Sequence, residues 1–495
     1  MAHLPWRVAK FGGSSVGTPS NWPRIARVCR DHLGDGTRPL LVCSALSRVT
    51  DLLETLLAAL EAKGEASTAL TALRARHEEA ARDMGVSADD LPELDWLAGL
   101  ARRGEAPSDR VRAEVLSSGE RLSTRLGVRY LRNAGLDAGW VDVREHLDAA
   151  TGGAETADYL SAECDYAPDP TFRARLAARP EAVLVTQGFT AANARGETVV
   201  LGRGGSDTSA AYLASRLEAD RLEIWTDVPG TFTTNPRLVE HARLLRRVSL
   251  DEVTTMAALG AKVLHPRSLE PSLRYGVPLE IRWTKHPELG PGTRIDADAV
   301  PGVKAIAYRK KMTSFTMERD PSWQPIGFLA DVATCFSDFG VSMDLVSSSP
   351  GSIKATVDRA AVPHLDEVFD GLVAALSETC RVTARRDVAS VSFVGHQVSR
   401  CADLISPALE ELGDDALHFV AHSSEDVHIT YVVEEQAADQ LVKRGHEQLF
   451  VEELVDPDTF GPTWQQLSEP GVVPTPLFRR PGRSRVNHTT AAVPA

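Results

Sequence analysis

Lys10-Phe11-Gly12-Gly13-Ser14-Ser15-Val16-Gly17 is the stretch on which the fold turns. Residues 7–11 are a short, mostly apolar run, and the strand they predict ends in two glycines and two serines that lead towards a helix. Glycines let backbone amides approach an anion closely, and a helix N-terminus favours negative charge. Lys10 adds a point positive charge at the strand's C-terminal end, where ligands bind in open α/β sheets. The segment reads either as an ordinary turn or as a phosphate site. Runs of the same kind recur at 39–44, 182–188, 221–226 and 277–283, with longer helical stretches between them. That alternation predicts an α/β fold, a mostly parallel sheet sandwiched by helices. Between Leu52 and Leu100 the pattern turns helical, with Leu52, Leu53, Leu56, Leu57 and Leu60 at helix spacing.

After Gly302 the texture changes, and two segments repeat one order of elements. The first reads strand 313–318, helix 328–339, strands 342–348 and 352–358, helix 364–376 and strand 381–385. The second reads strand 389–394, helix 402–412, strands 417–422 and 427–433 and helix 436–446, with no clear final strand. Each is a ferredoxin-like βαββαβ pattern. From Val455 onward Pro, Gly and polar residues dominate, which predicts a flexible tail or linker.

The 495 residues carry 54 Lys and Arg against 68 Asp and Glu, a net charge of −14 that disfavours nucleic-acid binding. Hydrophobic residues at 43% and charged residues at 25% exclude a disordered or fibrous chain. No apolar run reaches membrane-spanning length, and residues 1–10 lack a signal-peptide core, so a cytoplasmic location is expected. The six cysteines are scattered without a CxxC pair, so neither a zinc site nor a disulfide framework is expected.

Two further segments carry chemistry. Gly202-Arg203-Gly204-Gly205-Ser206-Asp207-Thr208-Ser209 reads as a turn opening a helix. A dinucleotide fingerprint fails there because Asp207 stands where the third glycine should be, and no GxxxxGK[ST] occurs in the chain. A helix cap explains Ser206 or Asp207 but not Arg203 beside three glycines. Residues 226–237, Thr-Asp-Val-Pro-Gly-Thr-Phe-Thr-Thr-Asn-Pro-Arg, follow a strand and mix polar and aromatic groups suited to wrapping a nucleotide. Asp338-Phe339-Gly340 matches a protein-kinase motif, but no HRD loop or upstream glycine-rich loop accompanies it. Phe339 fits a helix's apolar face and Gly340 its C-cap.

Taken together, KFGGSS, SSGE at 117–120, GRGGSD at 202–207, TDVPG at 226–230 and GAKVLHP at 260–266 occur in an order that resembles the aspartate kinases. These belong to the amino-acid kinase superfamily and carry paired C-terminal ACT domains. The resemblance runs from Val8 to Leu454 and implies a kinase domain over 1–302, ACT domains over 303–386 and 387–454, and a tail over 455–495. It implies ATP-dependent phosphorylation of the β-carboxylate of L-aspartate, with magnesium held by ATP phosphates and water and no protein metal ligands. On the catalytic side it implies Lys10 and Asp207. On the substrate side it implies Thr50, Glu120, Arg203 and Ser206, with Arg203 on the α-carboxylate and Glu120 on the α-ammonium. On the nucleotide side it implies Lys10, Phe11, Gly12, Gly13, Thr226, Asp227, Phe232, Arg237, Lys262 and Val263, with Phe232 against the adenine. His265 reads as structural. Arg48 departs from the family pattern, standing where a glycine usually occurs, as Asn235 does for Asp and Phe232 for Tyr.

The resemblance also implies feedback inhibition by L-lysine and a homo-oligomer assembled through the ACT domains. An effector site is expected at Gly327, Phe328, Leu329, Met343, Asp344 and Ser349, following Gln324-Pro325-Ile326, with Asp344 on the lysine ε-ammonium. A strand-end Asp facing water is the alternative for Asp344. Two other functions remain in view, a catalytically inactive amino-acid sensor and the kinase portion of an aspartate kinase–diaminopimelate decarboxylase fusion.

Overall fold

β1 (Trp6–Phe11) is buried along its whole length, as a strand covered by helices on both faces must be. In the computed structural model it lies inside an eight-stranded sheet. The described residues are 4–150, 159–261, 264, 266–296, 300–319, 326–362, 365–410, 412–413, 416–450 and 456–468. β2 (Arg38–Cys43), β3 (Ala138–Val141) and β4 (Val183–Gln187) lie to one side of β1. A hairpin of β5 (Thr190–Ala192) and β6 (Thr198–Val200) follows, then β7 (Arg221–Thr226), β8 (Arg243–Leu245), β9 (Arg247–Ser249), β10 (Leu279–Trp283) and β11 (Pro291–Asp296). The sheet order is β3-β4-β2-β1-β7-β10-β11-β9, parallel throughout except between β10 and β11.

Alternation along these strands feeds two cores. Val8, Leu40, Leu222 and Ile224 point to one, while Ala9, Phe11, Leu41 and Trp225 point to the other. The second core also takes the helical excursion, Val49–Glu61, Ser67–Asp83, Pro92–Arg103 and Asp109–Asn133. Leu53, Leu56, Leu57 and Leu60 are buried there, each contributing roughly 1.5–3 kcal/mol.

The second sheet contains β12 (Gly302–Glu318), β13 (Leu345–Ser349), β14 (Ser352–Asp358), β15 (Arg381–His396), β16 (Leu417–His422) and β17 (His428–Glu434), in the order β13-β14-β12-β15-β17-β16. β12 and β15 run antiparallel through its whole width. Residues 312–318 pair with β14 and with the first part of β15, whereas 302–309 pair with the second part. Both strands pass through left-handed residues at the changeover, Lys311 at φ 58° and Asp387 at φ 61°. Each half has its own core, one around Phe315, Phe336 and Phe369, the other around Ile306, Phe393 and Tyr431. The strand missing from the second repeat is thus 302–309, which precedes the first repeat in the chain. The first repeat is inserted into the second, and β15 runs unbroken across 386 and 387, where the two repeats were expected to part. The physical reason is that Ile306 completes the second half's core. Gly340 takes the left-handed turn (φ 65°) that ends helix Phe328–Asp338, and Phe339 is partly exposed at its cap.

A flexible segment from 455 is corrected in part. β18 (Phe460–Thr463) pairs with β8, and helix Trp464–Ser468 follows it. Leu467 is buried, Trp464 packs against Phe232 and Phe460 against Phe450, so three spaced apolar residues anchor a stretch whose composition reads as a linker.

Candidate active site

Lys10 leaves β1 at the sheet's C-terminal edge, flanked in register by Val42 of β2 and Ile224 of β7. Its side chain is enclosed, with 8% of the residue exposed, and its Nζ lies 2.6 Å from Asp207 Oδ1. After β1 the chain turns through Gly12 into the short helix Gly13–Val16. Gly13 is required by a close approach, since a Cβ there would stand 2.9 Å from the Ala45 carbonyl oxygen. Ser47 Oγ donates to the Gly13 carbonyl at 2.9 Å and fixes that turn. Ser15 Oγ and Thr284 Oγ1 share a hydrogen bond of 2.8 Å. Ser47 and Thr284 were not singled out in the sequence, although Ser47 lies in the same polar run as Thr50.

Asp207 and Ser206 lie in the first turn of helix Gly205–Arg216, which is entered through Gly204 at φ 72°. The left-handed entry suits glycine and aims the helix's positive end at the Lys10 edge of the sheet. Ser206 Oγ donates to Glu120 Oε1. Glu120 comes from the middle of helix Asp109–Asn133 and is 5% exposed. Its second oxygen, Oε2, is buried without a hydrogen-bond partner among the described residues. Burial pushes the Glu120 carboxyl up to about 8, opposed by the Ser206 hydroxyl, the Lys10 charge and the nearby Gly188 backbone amide and reinforced by Asp207. Arg203, just before this helix, is exposed and makes no ion pair among the described residues.

Lys10, Asp207, Ser206 and Glu120 therefore form one connected group, with Arg203 on the loop beside it. Thr50 is exposed in the first turn of helix Val49–Glu61. Arg48 caps that helix at φ 68°, a left-handed conformation that explains why glycine is the usual residue there.

Of the residues expected on the nucleotide side, Thr226 ends β7 beside the Gly12 turn, and Gly12 N–H donates to the Trp225 carbonyl at 3.3 Å. Thr226 Oγ1 donates to Asp227 Oδ1, and Trp283 Nε1 donates to the Asp227 carbonyl at 2.9 Å. Two aromatic side chains depart from expectation. Phe11 is fully buried and stacks on Trp225 with ring centroids 5.7 Å apart, so only its backbone faces the site. Phe232 is 8% exposed and packs edge-on to Trp464 at 5.6 Å instead of presenting an open stacking face. Arg237 is exposed. Lys262, Val263 and His265 lie outside the described residues.

In the second sheet, Gly327 (φ 88°) opens helix Phe328–Asp338, with Phe328 buried and Leu329 exposed. Met343 is half-buried, and Asp344 precedes β13 with its amide donating to the Thr356 carbonyl at 2.8 Å. The Asp344 carboxylate faces the protein as well as water, 3.4 Å from Arg309 Nη1. Burial and Asp358 raise its proton affinity while Arg309 opposes them. Ser349 ends β13 and donates to the Ser352 carbonyl. Gln324 and Pro325 lie outside the described residues. Among the described residues no group of three or more His, Cys, Asp or Glu could hold a metal ion. No described helix is long and apolar enough to cross a membrane.

The amino acid kinase family model matches residues 5–282. Lysine-sensitive aspartokinase 3 of Escherichia coli (strain K12) is 32% identical over 460 residues, which cover 90% of this chain and 99% of the relative. The solved structure of E. coli aspartokinase III in complex with aspartate and ADP (R-state) superposes with a TM-score of 0.70 at 31% identity, covering 90% of this chain and 100% of that one. The lysine and aspartate complex of the same enzyme (T-state) gives a TM-score of 0.71 at 31% identity, covering 90% and 99%. With the Lys10–Asp207 pair, the buried Glu120 and the two-part second sheet in place, the chain belongs to the amino acid kinase family and, within it, to the aspartokinases.

Proposed function

We propose that this chain transfers the γ-phosphoryl group of MgATP to the β-carboxylate of L-aspartate, giving 4-phospho-L-aspartate. The observation that carries this reading is the buried Glu120 carboxyl, whose free Oε2 sits in the group formed by Ser206, Lys10 and Asp207. An amino-acid ammonium would supply the missing donor. Arg203, on the neighbouring loop and without an ion pair among the described residues, would take the α-carboxylate through its planar fork, and Thr50 would join it. The two grips direct the β-carboxylate towards Lys10.

A carboxylate is already nucleophilic at neutral pH, so the reaction needs no general base. It needs alignment and neutralisation of charge spreading over the phosphoryl oxygens. Lys10 supplies that charge, held by Asp207, and the Gly13 amide faces the same oxygens. Thr226, Asp227, Arg237 and the Phe232 loop hold the nucleotide, a role the resemblance also gives Lys262 and Val263. Magnesium enters with the ATP phosphates as part of the substrate.

The kinase unit corresponds to residues 1–302, and the regulatory units to the two halves of the second sheet. L-Lysine is the effector, its carboxylate and α-amine on the backbone at 327–329 and its ε-ammonium on Asp344, in competition with Arg309. Met343 and Ser349 flank that position. Inhibition follows if lysine binds one arrangement of the two domains better than the other. Exposed Val346 on β13 and Leu417 and Val420 on β16 support self-association through the regulatory sheet. The reaction feeds cytosolic synthesis of lysine, threonine, methionine and diaminopimelate.

The test is aspartate-dependent ADP release, with lysine and threonine added separately, in wild type and Arg203→Ala. The expected result is turnover inhibited by lysine, and an aspartate KM raised roughly 10–150-fold in the variant with the ATP KM little changed. An unchanged aspartate KM with impaired ATP binding would reverse the assignment of Arg203.

A further inference from the structure

We infer that residues 456–468 are a brace for the nucleotide-side loop, and that Trp464 is a positioning residue for ATP. The inference builds on the kinase reading above and adds an element outside the catalytic group.

The brace has a backbone and a side-chain component. Along the backbone, β8 is a shared middle strand. On one side it holds the loop, with Thr233 N–H donating to the Arg243 carbonyl at 2.9 Å and Leu245 N–H to the Thr231 carbonyl at 2.8 Å. On its other side β8 pairs with β18. Trp464 N–H then donates to the Ala242 carbonyl at 2.8 Å, and Arg246 N–H to the Thr459 carbonyl at 2.8 Å. Loop, β8 and β18 thus form one ribbon.

The side chains tie the same pieces together. Phe232, Leu244, Trp283 and Leu467 share one small core, with Trp464 packed on it. Trp464 meets the Phe232 ring edge-on, at 81° between planes. Trp283, in the same core, holds the start of the loop through the Asp227 carbonyl. The core therefore fixes the loop at two points, at Asp227 through Trp283 and at Phe232 through Trp464.

The brace itself is pinned at its start. Asp456 Oδ2 accepts from Thr459 N–H and Oγ1, and Phe460 lies under the Lys304 ammonium at 5.6 Å. A segment fixed at both ends and packed on the back of Phe232 sets how far the 226–237 loop can retreat from a bound nucleotide. Loss of the Trp464 ring leaves Lys10, Asp207 and Glu120 untouched, so the effect falls on the nucleotide alone.

The experiment measures steady-state kinetics of the full chain as wild type, Trp464→Ala and Trp464→Phe, varying ATP and aspartate separately. Trp464→Ala is expected to raise the ATP KM roughly two- to tenfold, the scale of one aromatic pair, while the aspartate KM stays within about twofold. Trp464→Phe should restore most of the loss. Should Trp464→Ala fail to fold, Leu467→Ala trims the same core and carries the same expectation. A folded variant with an unchanged ATP KM, or with both KM values raised equally, overturns the brace. Wild-type protein without aspartate-dependent ADP release overturns the kinase reading instead, so the two failures are separable.

Discussion

The Glu120 carboxyl offers a sharp test, because on the proposed reading its protonation sets when the aspartate grip is complete. Burial raises it to about 8, so near pH 7 about one molecule in eleven carries the carboxylate. Pairing with the α-ammonium requires that carboxylate, so substrate binding must expel a proton below that pH. Aspartate affinity should therefore rise about tenfold between pH 7 and 9, with a break near 8. The ATP KM should show no such break.

Glu120→Gln keeps the shape and removes the titration. Above the break the variant lacks a charge-assisted contact of about 1.5–3 kcal/mol, so its aspartate KM should exceed wild type by roughly 10–150-fold. At pH 6, where wild-type Glu120 is protonated, the gap should narrow. Stability follows the same proton. A carboxyl raised from 4.5 to about 8 contributes stability in full below 4.5, and that contribution is lost as pH rises through 8. The variant should lose less stability than wild type between pH 5 and 9 in thermal melts. Initial rates by coupled ADP release across pH 6–9 provide the kinetic measurement. A variant that keeps the wild-type pH profile, or that impairs ATP instead of aspartate, would refute the reasoning.

Lys10→Ala should lower kcat at least ~100-fold with the fold intact, as loss of a preorganised charge at the phosphoryl group predicts; wild-type turnover would remove Lys10 from the mechanism. Arg48→Gly should relieve a left-handed residue at a cost of about 1–2 kcal/mol per such residue, less about 0.5–1 kcal/mol for glycine's freedom in the unfolded chain. A net rise in melting temperature is expected, and a fall would show that the Arg48 side chain stabilises the turn. Asp344→Ala should raise the lysine concentration for half-inhibition roughly tenfold or more, with threonine as control; full lysine sensitivity in the variant would move the effector elsewhere.

The strands around Lys10 were legible because a doubly covered strand leaves a continuous apolar run, and β7 falls at the expected residues. The Lys10–Asp207 and Ser206–Glu120 pairs connect segments far apart in sequence, and each segment had its own small-residue motif to mark it. Side-chain direction was less legible. Motif matching placed Phe11 and Phe232 on the nucleotide side, but strand alternation turns Phe11 into the core and Trp464 covers Phe232. The insertion of one regulatory repeat into the other was hidden because 302–309 looks like the end of the kinase unit. Only long-range pairing with β15 assigns it to the second half. The brace was hidden by its Pro- and Gly-rich neighbours, since three apolar residues in nine do not form a periodic pattern.

The central claim concerns which bond forms, and trapping the product with hydroxylamine tests it most directly. Wild-type protein incubated with MgATP and L-aspartate should yield the β-hydroxamate of aspartate in step with ADP, and Lys10→Ala should yield little of either. ADP release without a β-hydroxamate, or a hydroxamate formed at the α-carboxylate, would contradict the account.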